Sequence, residues 1–108
     1  MAFVLKKVST YKWPVTVSVP VDGGKFRNET FSVLFRKIGR AQFNELAEQD
    51  ENALVDAIVE GWDGVKDEDG DNVPFSDEAK AALLDDPFVM KALINAYADS
   101  YGGAPTKN

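Results

Sequence analysis

An alternation of apolar and polar positions marks the first element of the chain. From residue 11 to residue 21, every odd position is apolar and every even position is polar or a proline. This two-residue period is typical of a β-strand with one buried face. Because proline has no N–H to donate to a neighbouring strand, Pro14 and Pro20 predict that this strand lies at an edge of its sheet.

A second strand is predicted over about residues 26–38, after a turn at residues 22–25. Its apolar side chains at odd positions are Phe31, Val33 and Phe35. A two-residue loop would place odd positions opposite even ones, so the two apolar faces would disagree. We therefore expect a three-residue loop, Gly23-Gly24-Lys25, with a G1 bulge. The resulting register pairs Val17 with Phe31, Val15 with Val33, and Trp13 with Phe35.

After Gly39, apolar residues recur three and four positions apart, which indicates helices. Polar residues 49–52 interrupt the pattern, so we predict two helices, at about 40–49 and 52–61. Ser76 is a suitable N-cap for a third helix that ends near residue 85. Asp86 and Pro87 suit the start of a last helix, which Gly102-Gly103 would end. The predicted fold class is α+β, an N-terminal antiparallel β-hairpin or small sheet followed by three to four short α-helices.

The 108 residues of the chain correspond to a single domain. We place a lead-in at about residues 1–8, the β-hairpin at 9–38, and the helical part at 39–101. The helical part includes an acidic turn at 63–75, and residues 102–108 are expected to form a flexible tail. Whether residues 2–8 add a strand stays open at this point.

The composition excludes several classes of catalytic and metal sites. The chain has no cysteine and no histidine, which rules out disulfides, thiolate or imidazole metal ligands and Ser-His-Asp catalysis. The glycines form no phosphate-binding motif. No apolar run approaches the length of a membrane span, and the first residues do not match a signal peptide. We therefore expect a protein that is not an enzyme and needs no cofactor.

Charge is divided unevenly along the chain. Residues 1–40 carry a net charge of +6 and residues 41–108 a net charge of −12, within a total of −6. A basic face and an acidic face are expected to meet, within one molecule or between copies, so self-association is one predicted property. The overall negative charge disfavours nucleic acid as a partner, and no membrane partner is expected.

The acidic turn is the strongest candidate for a metal site. If Gly70 takes the glycine position of an EF-hand loop, Asp67 and Asp69 fall on suitable ligand positions. Val65 and Ser76 then occupy the first and last ligand positions, where carboxylates are needed. We interpret the turn as a solvated miniature hairpin that holds no metal, with weak Ca²⁺ or Mg²⁺ attraction as the alternative. A carboxylate enzyme is a separate alternative, because residues 41–108 contain carboxylate pairs such as Asp85 and Asp86.

Four large aromatic residues fall at the ends of predicted elements, and they are Trp62, Phe75, Phe88 and Tyr101. A large aromatic side chain in such a place either fixes a loop to the core or anchors a partner protein. We take these four residues as the candidate partner-binding set.

A series of short motifs follows in a distinctive order. These motifs are Trp-Pro-Val-Thr-Val-Ser-Val at 13–19, Phe-Ser-Val-Leu-Phe at 31–35, Gly-Trp-Asp-Gly-Val at 61–65, Asp-Glu-Asp-Gly at 67–70, Val-Pro-Phe-Ser at 73–76, and Pro-Phe-Val at 87–89. Their order, over about residues 5–101, resembles that of the small tail assembly chaperones of long-tailed (siphovirus-type) bacteriophages.

The resemblance implies a function without catalysis. Such chaperones bind the long, helical, apolar tape measure protein, help the tail tube protein to polymerise around it, and are absent from the finished virion. The implied location is the cytoplasm of the host bacterium. The alternative is a structural tail or head–tail connector component of a phage or prophage particle. In many such phages a programmed frameshift appends a second domain, and Thr106-Lys107-Asn108 is the candidate position for one here.

Overall fold

The computed structural model describes Phe3, Leu5 and residues 9–101, except for the side chain of Tyr101. In chain order the elements are β1 (Thr10–Val21), β2 (Lys25–Arg36), α1 (Arg40–Gln49), α2 (Glu51–Ile58), β3 (Val59–Asp63), α3 (Asp77–Leu84) and α4 (Pro87–Tyr101). This arrangement confirms the α+β fold class. Most of the lead-in, the glycine stop at 102–103, the tail and the candidate frameshift position lie outside the described residues.

The sheet is antiparallel, with the strand order β1-β2-β3. Among the strands that the structure describes, β1 has a neighbour on one side only, as predicted for an edge strand. The backbone N–H of Lys37 donates to the carbonyl of Ser9 at 2.8 Å, so odd-numbered pairs of the β1–β2 ladder exchange hydrogen bonds. The even-numbered residues of β1, which include Pro14 and Pro20, therefore direct their backbone groups away from β2, where a missing N–H breaks no bond of this ladder.

The predicted register of the hairpin is wrong by two residues, although odd positions do face odd positions. Val15 pairs with Phe31, Trp13 with Val33, and Tyr11 with Phe35. The loop is Asp22–Gly24 instead of Gly23-Gly24-Lys25. The last residue of a three-residue loop needs a positive φ, and Gly24 adopts a φ of +74° there. The expected register would have forced Lys25 into that conformation, which costs a residue with a Cβ atom about 1–2 kcal/mol.

The second predicted helix ends earlier than expected, and a third strand takes its place. Helix α2 stops at Ile58, and residues 59–63 form β3 beside β2. Val59, which lies within the predicted helix, and Trp62, which directly follows it, belong to the strand. A bulge at Glu60 shifts the register between the pairs Leu34–Gly61 and Phe35–Val59. The strand is favoured over a longer helix, because Val59 pairs with the fully buried Phe35 and is buried in the same core.

The core lies between the odd-numbered face of the hairpin and the helices α2 and α4. Its buried residues are Val15, Val17, Phe31, Val33 and Phe35 from the hairpin, Leu54, Val55, Ile58 and Val59 from the α2–β3 segment, and Val89, Met90, Leu93, Ala96 and Tyr97 from α4. The burial of Phe31, Val33 and Phe35 confirms the odd-numbered apolar face predicted for the second strand. No helix within the described residues is long and apolar enough to cross a membrane.

Side-chain caps open α3 and α4 at the two residues predicted for them. The Ser76 hydroxyl accepts a hydrogen bond from the Ala79 N–H at 3.0 Å and opens α3. The Asp86 carboxylate accepts one from the Phe88 N–H at 2.8 Å and opens α4. Residues 85–88, from the end of α3 to the first turn of α4, are here called the α3–α4 corner.

Candidate partner-binding site

Two of the four candidate aromatic residues are in contact with each other. The rings of Trp62 and Phe75 meet edge to face, with their centroids 4.9 Å apart. The Trp62 Nε1–H donates to the carbonyl of Val73 at 2.8 Å, and both rings pack against the core while staying half-buried. These contacts fix the chain after β3, so both residues fasten a loop in this structure.

The acidic turn brings the pair together. The Val73 N–H donates to the Val65 carbonyl at 2.8 Å, and Lys66 and Asn72 form a β-bridge, so the predicted miniature hairpin is confirmed. One Asp67 carboxylate oxygen accepts the N–H groups of Asp69 and Asp71 at 2.9 and 3.0 Å. The carboxylate therefore shapes the turn. Among the described residues, no three acidic side chains converge to form a metal site.

A lysine links this region to α2. The Lys80 ammonium donates to the Asp56 carbonyl at 2.7 Å and lies 3.1 Å from the Asp56 carboxylate. It also lies 6.0 Å from the centroid of the Phe75 ring, and its side chain is only 13% exposed. Lys80 thus fastens α3 to both α2 and the aromatic pair.

Phe88, the third candidate, is presented to solvent. It lies in the first turn of α4 and is 44% exposed, and it does not belong to the buried core. The side chain of Tyr101, the fourth candidate, lies outside the described residues. The structure thus separates the predicted set into a loop-fastening pair and an exposed residue at the α3–α4 corner.

Beside this corner lies an open apolar groove of about 280 Å³, here called the corner groove. Its apolar lining residues are Val17, Val19, Phe31, Val65, Leu83 and Val89. Glu29, Lys66 and Asp86 line its polar margins. Sequence reasoning did not find this groove, because its walls come from four distant segments of the chain. One signal in the sequence was available. The apolar face of β1 extends to Val19, and the short predicted helices do not cover that whole length, so part of the face is left open.

A second cavity, of about 470 Å³, lies at the start of α1 and is here called the α1 pocket. Its lining residues are Lys37, Ile38, Arg40, Phe43, Asn44 and Tyr97. The rings of Phe43 and Tyr97 are stacked with centroids 5.8 Å apart. The Tyr97 hydroxyl accepts the Ile38 N–H at 3.2 Å and donates to the Arg36 carbonyl at 3.3 Å, so the aromatic wall is held in place by the backbone of the pocket itself.

Comparison with known protein families gives one match. The model of the family described as YdaY prophage protein matches residues 27–100, which are 74 of the 108 residues. Neither a curated protein nor a solved structure matches the chain significantly. The family match confirms the phage or prophage origin that the resemblance implied, and the role in tail assembly stays a prediction.

Proposed function

Since the chain belongs to the YdaY prophage protein family, we propose that it is a tail assembly chaperone. In this proposal it binds the tape measure protein, and secondarily the tail tube protein, during tail morphogenesis. It acts without catalysis and without a cofactor, in the cytoplasm of the host bacterium. The alternative, a structural tail or connector component, is distinguished by experiment below.

The corner groove is the observation that carries this proposal. An amphipathic helix binds a protein by placing one apolar face into a hydrophobic groove. The corner groove offers such a surface, with Val19, Leu83 and Val89 on three different elements facing one opening. Phe88 lies in the chain between Asp86 and Val89, which both line the groove, and its own side chain is exposed. Large exposed aromatic side chains at such positions are typical anchors for a partner.

The first test is a pull-down with fragments of the tape measure protein encoded in the same prophage. Phe88→Ala is expected to reduce retention of the fragments about tenfold, as truncation of an interface anchor does. Phe26→Ala is the matched control, because Phe26 is 65% exposed at the tip of the hairpin and is not one of the residues that line the groove. Retention that is lost equally in both variants would refute the corner groove as the binding surface.

The aromatic pair provides a second comparison in the same assay. Trp62→Ala and Phe75→Ala should lower the melting temperature, because both rings fasten the loop after β3. At a temperature where these variants remain folded, we expect them to retain the fragments. Loss of binding by the folded variants, with Phe88→Ala unaffected, would move the site to the aromatic pair.

Purified virions separate the two classes of function. A chaperone leaves before the particle is complete, so mass spectrometry of virions should detect the tape measure protein without this chain. Detection of this chain in a fixed ratio to the tail tube protein would instead support the structural role.

A further inference from the structure

The α1 pocket combines two cations with an aromatic wall. Lys37 and Arg40 are exposed at its mouth, and among the described residues neither forms a salt bridge. Phe43 and Tyr97 supply the apolar wall. A cavity of about 150 Å³ is enough to hold a benzene ring, so the 470 Å³ of the pocket leave room for a phenyl group. The complementary ligand is an apolar ring next to carboxylates.

The chain itself carries such a segment at the α3–α4 corner. Asp85 and Asp86 are exposed, and in the part of the chain that the structure describes neither joins a salt bridge. Phe88 follows them and exposes 44% of its surface. By contrast, the exposed Phe26 at the hairpin tip is flanked by two basic residues, so its surroundings would repel the mouth of the pocket.

The corner of one copy lies too far from its own pocket to occupy it. Phe88 and Tyr97 are nine residues apart on α4, which places them about 14 Å apart along the helix axis. The same spacing places them about half a turn apart around the helix. The corner and the pocket therefore face away from each other, which is the arrangement needed for a contact between successive copies.

We propose that the α3–α4 corner of one copy docks into the α1 pocket of a second copy. Phe88 enters against Phe43 and Tyr97, while Asp85 and Asp86 lie near Lys37 and Arg40. The charge division supports this partner, because the two cations of the pocket, Lys37 and Arg40, belong to the segment with net charge +6 and the corner belongs to the segment with net charge −12. A contact between two different surfaces continues from copy to copy and gives rings or filaments, not only dimers.

This contact and tape measure binding rest on different cavities, but both use the α3–α4 corner. Asp86 lines the corner groove, so a bound partner and a second copy would compete for the same place. Association between copies would then cover Phe88 until a partner segment displaces it.

The test is sedimentation velocity of the full chain over a range of concentrations at low and high salt. At low salt the mean mass should rise beyond that of a dimer, and high salt should shift this rise to higher concentration, because screening weakens the charge contacts. A chain that stays monomeric throughout the range overturns the proposal.

Two variants and one mixture locate the contact. The double variant Lys37→Glu, Arg40→Glu disables the pocket. The double variant Asp85→Lys, Phe88→Ala disables the corner. Each double variant is expected to weaken association at least about tenfold. Mixed together, each variant still provides one intact surface, so they should form a one-to-one dimer that grows no further. The control, Lys25→Glu with Arg27→Glu, makes the same charge change at the hairpin tip and should leave association intact. Equal weakening by the control, or no dimer in the mixture, refutes the contact.

Discussion

At the scale of single residues, depth of burial distinguishes side chains that the sequence places on the same face. Phe35 is fully buried, with the rings of Tyr11 and Tyr97 at 6.0 and 5.1 Å from its own. Trp13 shares the odd-numbered face but stays half-buried near the open edge of β1. Period-two alternation predicted the shared face correctly, because it depends only on strand geometry. It could not predict the depth, which depends on where α4 crosses the sheet.

Phe35→Ala is expected to lower the free energy of unfolding by about 3–5 kcal/mol, the usual loss for a buried phenylalanine. Trp13→Ala should cost clearly less, because part of its ring already contacts water. Urea unfolding followed by far-UV circular dichroism measures both losses. Equal losses for the two variants would show that Trp13 is as deeply buried as Phe35.

At the scale of elements, the hairpin shows which local rules decide between two registers. Matching the apolar faces requires an odd-length loop, and that requirement was met. It does not choose between a loop at 22–24 and a loop at 23–25, which differ by two residues in register. The last loop position requires a positive φ, and this requirement favours the loop at 22–24, whose last residue is Gly24. The helix predicted to continue to residue 61 was wrong for a different reason. Strand β3 forms by pairing with β2, which is a long-range contact without a local signal in the sequence.

Gly24→Ala therefore provides a test of the observed loop. A Cβ at this position would meet no atom within 4 Å, so any loss arises from the positive φ alone. We expect a loss of about 1–2 kcal/mol in the free energy of unfolding for alanine, and a smaller loss for Gly24→Asn, because asparagine tolerates this conformation. Thermal melts of the two variants measure the difference. If neither substitution changes the free energy of unfolding, the positive φ of Gly24 is not needed for the turn.

At the scale of the whole molecule, stability is expected to fall from the core toward the tip of the hairpin. The inner half of the hairpin is buried at Val15, Val33 and Phe35. Residues 20–30 are exposed on both faces of the ribbon, and β3 pairs only with residues 32–35 of β2. Few packed groups oppose the opening of the outer half, so its backbone hydrogen bonds should break in partial unfolding events.

The corner groove was not predicted from the sequence, because its walls come from segments that are distant in the chain. Its walls join the outer hairpin to the α3–α4 corner, and only the tertiary fold brings Val19 close to Leu83 and Val89. The sequence did indicate Phe88, because it is a large aromatic residue at the start of a predicted helix. It also indicated Trp62 and Phe75, whose role as fasteners depends on the turn that follows β3.

Native-state hydrogen exchange connects this distribution of stability with the proposed function. The amides of Val19 and Arg27 bond across the outer hairpin, and their exchange should report a lower opening free energy than the amide of Val33. Since Val19 also lines the corner groove, a bound tape measure fragment should slow exchange at Val19 by stabilising the closed form. The amide of Lys25 at the tip serves as the control, since no groove residue adjoins it. If the fragment binds and Val19 exchanges at its original rate, the fragment occupies another surface of the molecule.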